Sequence, residues 1–472
     1  MELARKSFTS ADQAAFAHIS GDRNPMHMDV NAARRTQMGA PVVHGVNGVL
    51  WALDAASDEQ IESISSLKVN FPGPIYTGDT AVTSLVGRTE TQVRLQVRVE
   101  NAPATVITLQ TGDLRTASAP LNNAPPMDAA WPTQPLPMNF EQLAGQAGAF
   151  NFARPFDEVA RFYPKLARRI SPRRTAALAA LSRVVGMTCP GLHSIFSGFT
   201  VNFVEGGENL LRYRVVETDP RFRIVRIAIA GGGIEGELTA IARVPPVQQP
   251  TMAEIAALTP TGAYAGAVVL VVGGSRGLGE VTAKTCAAGG ARVIVTYANG
   301  RDEAELVAND IRAHGGVCET IRLDVREEIA TQLADLAGPT SHLYYYATGP
   351  IAQRRTRFLS EDVLANFMRF YTTGFAELCE AILTRNQGTP LRVFYPSSVA
   401  VSDTPKGWAE YAMAKAAGEL LCRELNAKLA GVAVTSIRLP RILTDQTATA
   451  RAVESFPVLD VIMPIVRDLQ AD

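Results

Sequence analysis

Clustered cysteines and an excess of charge are both lacking in this chain. Its five cysteines are scattered without Cys-x-x-Cys spacing, which argues against a zinc ribbon, a redox motif or a disulfide framework and favours buried thiols. Acidic and basic residues nearly cancel, at 46 against 45, so no electrostatic footprint points to nucleic acid or an anionic membrane surface. A small, diffusible substrate is therefore expected.

Long apolar runs are missing as well. The N-terminal residues lack the continuous apolar segment of a secretory signal. The two longest uncharged stretches, Val184–Val204 and Ile255–Ser275, are interrupted by proline, glycine and polar residues, unlike a membrane span. We expect a cytoplasmic protein with no membrane or nucleic-acid partner. Its 472 residues exceed what one hydrophobic core usually supports, which favours several domains.

Two proline-rich stretches, Ser118–Met138 and Val244–Gly262, interrupt the apolar patterns and are predicted to be linkers. They divide the chain into three folded units. The predicted boundaries are 1–117 for the first unit, 118–138 for a linker, 139–245 for a middle unit, 246–264 for a second linker and 265–472 for the third unit.

The first two units share one order of elements. A helical pattern over Val43–Ala56 precedes strands such as the alternating Val93–Val99, which predicts a long helix against a curled antiparallel sheet. The middle unit repeats that order, with a helix over Arg173–Val185. Its predicted strands are Ser194–Phe203, Leu211–Val216, Arg223–Ala230 and Leu238–Val244. The third unit begins with the strand Ala267–Val272 and then alternates helices with strands, which predicts a parallel sheet.

One N-terminal motif carries the elements of acid–base chemistry. The run Ser20-Gly-Asp22-Arg-Asn24-Pro-Met-His27-Met-Asp29 places a carboxylate and an imidazole five residues apart, and Gly45 follows at the start of the long helix. An imidazole with an unperturbed pKa of about 6.5 can move protons near neutral pH. A helix start offers free N–H groups to a thioester oxygen that becomes an oxyanion.

This motif resembles that of the MaoC-like (R)-specific enoyl-thioester hydratases of hot-dog fold, SGDxNPxHxD, which is matched at every fixed position. The elements Pro41–Gly45 and Asn70–Asp79 also fit, and the resemblance covers about the first 115 residues. It implies that Asp22 and His27 hold the catalytic water, that Asn24 orders the loop, and that the Gly45 N–H binds the thioester carbonyl.

Two other interpretations of this region stay open. Asp22 and His27 could serve only to cap a turn, or they could join His18 and His44 in a metal site. The spacing of these four residues matches no common ligand pattern, so no metal is expected.

The middle unit has no copy of this motif. The segment Arg169–Arg174 stands where the Pro-x-Val-His-Gly element would be, which predicts a degenerate second hot-dog half that shapes the acyl tunnel. His193 lies at the entry to a predicted strand and could contact a ligand, although a lone histidine is more often structural.

The third unit opens with a glycine-rich loop, Val272-Gly273-Gly274-Ser275-Arg276-Gly277-Leu278-Gly279, between a buried-type strand and a helix. Such glycines permit a tight turn and close approach to a pyrophosphate at the helix N-terminus. The next strand, Ala291–Tyr297, ends without the acidic residue of an NAD site, so NADPH is expected. Arg276 is a candidate partner of the 2′-phosphate, as is Arg301, for which surface solvation is the alternative.

Ser398 lies thirteen residues before Tyr411, and Lys415 lies four after it. With the glycine loop and Leu323–Val325, this set resembles the short-chain dehydrogenase/reductase family over Gly266–Asp445. The resemblance implies that Tyr411 donates the proton, Lys415 lowers the tyrosine pKa and holds the nicotinamide ribose, and Ser398 binds the substrate carbonyl. The implied cofactor contacts are Gly273, Ser275, Arg276, Gly277, Leu278, Gly279, Asp324, Gly349, Lys415 and Thr444.

Several residues depart from that family's pattern. Its Asn-Asn-Ala-Gly element reads Tyr346-Ala-Thr-Gly349, and Tyr371 replaces the helical asparagine of its proton relay. A helical pattern over Val458–Leu469 stands where the family has a seventh strand. These departures put the relay and the usual oligomer contact in doubt and predict a shortened sheet of six strands.

The expected fold is an α+β double hot-dog domain followed by an α/β Rossmann-type, doubly wound parallel sheet. The expected function is a bifunctional enzyme, an NADPH-dependent 3-oxoacyl-thioester reductase and (R)-3-hydroxyacyl-thioester dehydratase. It would act on acyl-CoA or acyl carrier protein thioesters, as in fatty acid or polyketide assembly. The open alternatives are a hydratase whose reductase-like domain binds nucleotide without turnover, and a non-catalytic acyl-binding scaffold. A homo-oligomer is also left open.

Overall fold

The computed structural model describes residues 1–57, 64–118, 121, 133–152, 156–351, 359–449 and 453–471. The chain forms two compact units, one built by Met1–Pro245 and the other by Pro246–Ala448 with Val453–Asp472. All five cysteines are free and buried, as expected. Within the described ranges, no helix combines the length and the apolar character that crossing a membrane requires.

A ten-stranded antiparallel sheet forms the first unit, with strands in the order β1-β3-β4-β5-β2-β7-β10-β9-β8-β6. The strands are β1 Glu2–Ser7, β2 Ile64–Asn70, β3 Thr80–Arg88, β4 Gln92–Val99, β5 Ala102–Thr111, β6 Ala147–Asn151, β7 Ser194–Phe203, β8 Leu210–Asp219, β9 Ile224–Gly231 and β10 Ile234–Ala242. Read outward from the β2–β7 pair, both sides have the same connectivity. The sheet therefore consists of two five-stranded halves with one topology.

The junction of the two halves is the antiparallel pairing of β2 with β7, in which Leu67 lies opposite Val201. The tripeptide Val-Asn-Phe occurs at the ends of both strands, at 69–71 and 201–203. Along β4 the alternation of the sequence is seen in the burial of every second residue, because one face of the strand covers the core.

Two long helices lie against this sheet, one from each half. The helices of the unit are α1 Ser10–Ser20, α2 Pro25–Met28, α3 Val30–Arg34, α4 Gly45–Ala56, α5 Phe156–Phe162, α6 Pro164–Ile170 and α7 Pro172–Arg183. Helix α7 is buried over most of its length and continues into a π-helical turn, Val184–Thr188. Apolar residues of both halves belong to one continuous core.

A parallel sheet of six described strands forms the second unit, in the order β13-β12-β11-β14-β15-β16. The strands are β11 Val268–Val272, β12 Arg292–Tyr297, β13 Val317–Arg322, β14 His342–Tyr345, β15 Leu391–Ser398 and β16 Val432–Leu439. The order reverses between β11 and β14, and in doubly wound sheets ligands bind at this switch point beyond the carboxyl ends of the strands.

Helices cover both faces of the parallel sheet over two separate apolar clusters. They are α8 Met252–Ala256, α9 Gly277–Ala288, α10 Arg301–Ala313, α11 Ile329–Gln332, α12 Glu361–Met368, α13 Gly374–Asn386, α14 Ala400–Asp403, α15 Ala409–Lys428 and α16 Val458–Ala471. A second π-helical turn, Arg369–Thr373, joins α12 to α13. Helix α16 forms where the helical pattern over Val458–Leu469 predicted it.

The linker predicted at 246–264 is different in the structure. Beyond Pro250 the chain forms the short helix α8, which Thr251 caps in a capping box with Glu254. Met252 and Ile255 are buried in the core of the second unit together with residues of α9. The proline-rich stretch therefore ends at Pro250, and the helix that follows it belongs to the parallel-sheet unit. Most of the other predicted linker, 118–138, lies outside the described residues.

Candidate active sites

The loop between α1 and α2 carries Asp22. Helix α1 ends at Gly21, whose left-handed φ of 78° turns the chain. Asp22 follows and is only 1% exposed. Asn24 then caps α2, since its side-chain oxygen accepts a hydrogen bond from the Met26 N–H at 3.1 Å. The Asn-Pro pair thus starts the short helix that carries His27.

One ring nitrogen of His27 has no hydrogen-bond partner among the described residues. Its Nδ1 lies 2.7 Å from the carbonyl oxygen of Val42. A carbonyl oxygen only accepts, so Nδ1 carries the hydrogen and donates it, and Nε2 keeps its lone pair. The ring is half-buried and stacks on His44 with 3.9 Å between centroids. Nε2 of His27 is therefore the atom that can take a proton from a bound water.

The second histidine of the stack has a supporting position. His44 Nε2 donates to the carbonyl oxygen of Asp22 at 3.1 Å, and Nδ1 lies 2.9 Å from the side-chain oxygen Oε1 of Gln13. Burial and then the charge of His27 lower the pKa of His44 well below its usual value. A neutral His44 fixes the loop and places no second positive charge beside His27.

The middle part of the chain holds the Asp22 carboxylate. Ser182, near the end of α7, donates its hydroxyl hydrogen to Asp22 Oδ2 at 2.6 Å. Gly186 in the π-helical turn lies so close that a β-carbon there would overlap the carboxylate. The side-chain amide of Asn24 donates to the carbonyl oxygens of Gly186 at 2.9 Å and Gly191 at 3.2 Å. The two halves of the sheet unit therefore build this site together.

The charge state of Asp22 results from opposing effects. Burial raises its pKa, while the charge of His27 and the hydrogen bonds from Ser182 and Asn24 lower it. One polar atom each of Asp22, His27 and His44 lies within 4.8 Å of the others, as in a metal site. His44 and one nitrogen of His27 are already hydrogen-bonded, so fewer groups remain than the three or four protein ligands that zinc takes. The cluster suits proton transfer better than metal binding.

The start of α4 adjoins this cluster, because His44 is the N-cap residue of the helix. Gly45 is the first residue of the helix and directly follows His44. A β-carbon at Gly45 would lie 2.9 Å from the Phe71 ring, so a larger residue there would displace that ring. Among the described residues no acceptor binds the Gly45 N–H. This backbone donor is available to an oxygen that gains negative charge.

His193 lies directly before the start of β7. No hydrogen bond within the described part of the chain joins it to Asp22 or His27. Burial, followed by the charges of Arg243 and Arg223, lowers the pKa of His193 to about 4. It is therefore a neutral side chain outside the cluster.

The glycine-rich loop of the second unit has the close contacts that such loops need. A β-carbon at Gly279 would overlap the carbonyl oxygen of Gly273, so the helix start lies directly on the turn. Gly277 has a φ of 56°, and Thr444 is the neighbour that a β-carbon there would meet, at 3.7 Å. The loop therefore fits a pyrophosphate at the start of α9, with Thr444 beside it.

Two of the predicted cofactor contacts are engaged within the protein. Arg276 Nη1 lies 3.6 Å from the carboxylate of Asp445. Asp324 accepts from both arms of the Arg326 guanidinium, at 2.9 and 2.6 Å, and this fork lowers the pKa of Asp324. A nucleotide that used Arg276 or Asp324 would have to compete with these ion pairs.

Tyr411 and Lys415 lie on one face of α15, one turn apart, and both are buried. Burial raises the pKa of Tyr411, and a hydrogen bond with the Ser398 hydroxyl acts against that rise. Burial also lowers the pKa of Lys415 to about 7. Its ammonium donates to the carbonyl oxygen of Pro396 at 2.6 Å. The structure thus brings the three residues predicted from spacing to one place at the end of β15.

Gly349, the last residue of the altered Asn-Asn-Ala-Gly element, packs against α12 and the turn after it. A β-carbon at Gly349 would lie 3.1 Å from the ring of Phe370. Ser275 is buried in the glycine-rich loop, and Leu278 packs against the core of the second unit. These predicted cofactor residues therefore lie in the loops that follow β11 and β14 and in the first turn of α9.

Two known families match parts of this chain. Residues 2–108 match the family described as MaoC like domain, and residues 267–455 match the family described as short chain dehydrogenase. The chain carries a MaoC-like domain followed by a short-chain dehydrogenase domain. The resemblances drawn from the two motifs are thereby confirmed.

Three relatives show how far the similarity extends. An uncharacterized oxidoreductase of Mycobacterium tuberculosis is 30% identical over 211 residues, which are 42% of this chain and 61% of that protein. The peroxisomal multifunctional enzyme type 2 of Mus musculus is 29% identical over 172 residues, or 36% of this chain and 21% of that enzyme. The peroxisomal hydratase-dehydrogenase-epimerase of Saccharomyces cerevisiae is 36% identical over 72 residues, or 15% and 8%. The chain thus spans about three fifths of the mycobacterial protein's length.

Two contacts in the MaoC-like site were missed by motif analysis. Ser182 lies near the end of α7 and Gly186 in the π-helical turn that follows, in a segment with no family motif. Their partner Asp22 is 160 positions away from Ser182. In the sequence, these two residues show only a serine and a glycine at helical spacing. That spacing does not predict a contact with a carboxylate far away in the chain.

In the dehydrogenase domain, the altered residues contact each other. The hydroxyl of Tyr371, which replaces the relay asparagine, lies 2.5 Å from the hydroxyl of Thr348, which belongs to the altered Tyr346–Gly349 element. The two departures from the family pattern thus form one hydrogen-bonded pair.

Proposed function

We propose that the chain is a bifunctional enzyme that interconverts 3-oxoacyl, (R)-3-hydroxyacyl and 2-enoyl thioesters. One domain would reduce the 3-oxo group with NADPH, and the other would remove water from the product or add it back. The two reactions share the (R)-3-hydroxyacyl thioester, so the product of one domain would be the substrate of the other. The yeast relative is named a hydratase-dehydrogenase-epimerase, which is consistent with such a pairing of activities. The thioester handle would be coenzyme A or an acyl carrier protein.

In hydration, His27 Nε2 would take a proton from a water held between it and the Asp22 carboxylate. The water oxygen adds to the β-carbon, and negative charge moves onto the thioester oxygen at the Gly45 N–H. A proton then returns to the α-carbon. In dehydration the same groups act in reverse. The proposed hydratase reaction rests on the hydrogen bond from Ser182, which holds the buried Asp22 beside His27.

In reduction, the Tyr411 hydroxyl would donate a proton to the substrate carbonyl oxygen, which the Ser398 hydroxyl also binds. Lys415 in its charged form would lower the Tyr411 pKa and hold the nicotinamide ribose. The glycine-rich loop and the start of α9 would hold the pyrophosphate, with Thr444 near the carboxamide. The strand β12 ends in Thr296 and Tyr297 without an acidic residue, which favours NADPH over NADH. NADPH bound there supplies the hydride.

We further propose that the ten-stranded unit is a double hot dog, with 1–117 as the catalytic half and 139–245 as a half that has lost its own motif. The matching strand order on both sides of the β2–β7 pair supports this assignment. The second half would also shape the tunnel for the acyl chain. The segment 265–472 would form the dehydrogenase domain, with α8 packed against it.

The test uses the purified chain with a panel of 3-oxoacyl and 2-enoyl thioesters, each as coenzyme A and carrier-protein esters, with NADPH and NADH. We expect NADPH to be consumed with a 3-oxoacyl thioester, and this activity to vanish in Tyr411→Phe. We expect hydration of a 2-enoyl thioester to vanish in Asp22→Asn. Hydration that survives in Asp22→Asn would refute the assignment of this site and favour a scaffold whose activity lies elsewhere.

A second candidate is a hydratase whose dehydrogenase domain binds nucleotide without turnover. The ion pairs of Arg276 with Asp445 and of Asp324 with Arg326 favour it, since both engage residues expected to contact cofactor. Quenching of protein fluorescence by NADPH without consumption, over the whole thioester panel, would select this candidate.

A further inference from the structure

Lys415 lies among aromatic rings. Its ammonium nitrogen is 3.9 Å from the ring centroid of Tyr371, 5.0 Å from that of Tyr395 and 6.0 Å from that of Tyr411. The hydrogen-bond acceptor it uses is the carbonyl oxygen of Pro396. A buried cation with few acceptors is costly, and an aromatic face is one of the few groups that compensates for lost water.

The Tyr371 ring is held from two sides. Its hydroxyl bonds to the hydroxyl of Thr348 at 2.5 Å, and its backbone oxygen accepts from the Tyr395 hydroxyl at 3.0 Å. The residue is 1% exposed and belongs to the π-helical turn Arg369–Thr373. Phe367 stacks on the ring at 5.8 Å between centroids. The ring therefore keeps its face toward Lys415.

We propose that Tyr371 is a positioning residue, whose ring face holds the Lys415 ammonium where the family's proton relay has an asparagine. The hydroxyl of Tyr371 serves to orient the ring through Thr348. This inference rests on the proposed reductase function, in which Lys415 acts as a cation. It assigns a role to a residue at which this chain departs from the family pattern.

The sign of the expected effect follows from the groups that face Lys415. On its own helix these are Tyr411, Cys422 and Glu419. Burial lowers the pKa of Lys415 to about 7, and Cys422 and Glu419 act to raise it. From β15 and the π-helical turn, the facing groups are the rings of Tyr395 and Tyr371. A ring face favours the charged form, so weakening the Tyr371 face should lower the Lys415 pKa further.

The decisive experiment is an NMR titration of the lysine ε-carbons in the full chain without cofactor or substrate. The chain has only seven lysines, and Lys415→Met assigns the signal. Tyr371→Phe keeps the ring face, whereas pentafluorophenylalanine at position 371 has nearly the same shape and an electron-poor face. We expect the Lys415 titration to stay in place in Tyr371→Phe. We expect it to fall by about 0.5 to 1 pH unit with the fluorinated ring.

A matched control is Phe375→Leu, which removes a buried ring that contacts Tyr345 and Tyr395. If that variant shifts the titration as much, the effect is one of packing and the proposal fails. The proposal also fails if the fluorinated ring leaves the titration unmoved. Because the titration uses neither cofactor nor thioester, its failure is distinct from absence of NADPH turnover in the unaltered chain. Where the chain does turn over, the loss of reduction at high pH should begin at lower pH with the fluorinated ring.

Discussion

The two candidate sites differ in how they are assembled. In the MaoC-like site, the acid and the histidine lie five residues apart, but the groups that hold the acid come from α7 and the π-helical turn of the other half. In the dehydrogenase site, Ser398, Tyr411 and Lys415 come from one strand end and the next long helix. A short motif thus predicts the reacting groups in both sites. Only the dehydrogenase site is built mainly by residues close together in the sequence.

The two sites also differ in how they stabilise a buried charge. Burial raises the pKa of Asp22 and lowers that of Lys415, so each group is driven toward its neutral form. Asp22 is compensated by the hydroxyl of Ser182, whereas Lys415 is compensated by the carbonyl of Pro396 and aromatic rings. The following variants are expected to separate these two designs.

The largest effect is expected for His27→Ala. This variant removes the nitrogen that takes the proton from water, so hydration of a 2-enoyl thioester should fall by about 10² to 10⁴-fold. NADPH-dependent reduction should stay within about twofold, because His27 belongs to the other compact unit. Absorbance assays of both reactions on the same preparation measure this. Equal loss of both activities would contradict separate sites.

Gly186→Ala should have the next largest effect. Its β-carbon would overlap the Asp22 carboxylate and displace it, which should lower hydration by about ten- to a hundredfold. Gly87→Ala is the matched control, since a β-carbon there meets only Arg94 Cβ at 3.9 Å. Hydration that remains normal in Gly186→Ala would show that the second half does not position the acid.

Ser182→Ala should have a smaller effect with a distinct pH signature. Burial raises the Asp22 pKa and Ser182 lowers it, so loss of the hydroxyl should raise that pKa further. A group that works as a carboxylate loses activity as pH falls through its pKa, so the acid limb of the hydration profile should move to higher pH. The rate at neutral pH should fall about tenfold. Ser57→Ala removes a hydroxyl whose hydrogen bond, among the described residues, goes to the Leu53 carbonyl, and it should leave the profile unchanged.

Arg276→Ala should have the smallest effect. Loss of one partner of the 2′-phosphate should raise the KM for NADPH about fivefold and leave that for NADH unchanged. Arg301→Ala tests the other candidate arginine in the same assay. A KM for NADPH that does not change in Arg276→Ala would mean that Arg276 serves only its ion pair with Asp445.

Much of the fold could be predicted because its signals are local. The strand Ser194–Phe203 has the predicted bounds, and helix α4 begins two residues after its predicted start at Val43. Apolar periodicity within a few turns is enough for such elements. The same holds for α16, whose apolar pattern predicts a helix where the family has a seventh strand.

The rest depends on contacts between distant segments. The helix α8 was missed because three prolines precede it, and its burial depends on α9. The contacts of Asp22 with Ser182 and Gly186 require the pairing of β2 with β7, which no local pattern shows. The ion pair of Arg276 with Asp445 likewise joins the two ends of one domain. In each case the partner is set by topology rather than by spacing.

The most direct test of two coupled activities is product analysis after the chain is mixed with a 3-oxoacyl thioester and NADPH. The unaltered chain should yield both the (R)-3-hydroxyacyl and the 2-enoyl thioester. His27→Ala should stop at the (R)-3-hydroxyacyl thioester with NADPH still consumed, and Tyr411→Phe should leave the 3-oxoacyl thioester intact. Absence of NADPH consumption by the unaltered chain, or enoyl product from His27→Ala at the unaltered rate, would contradict the account.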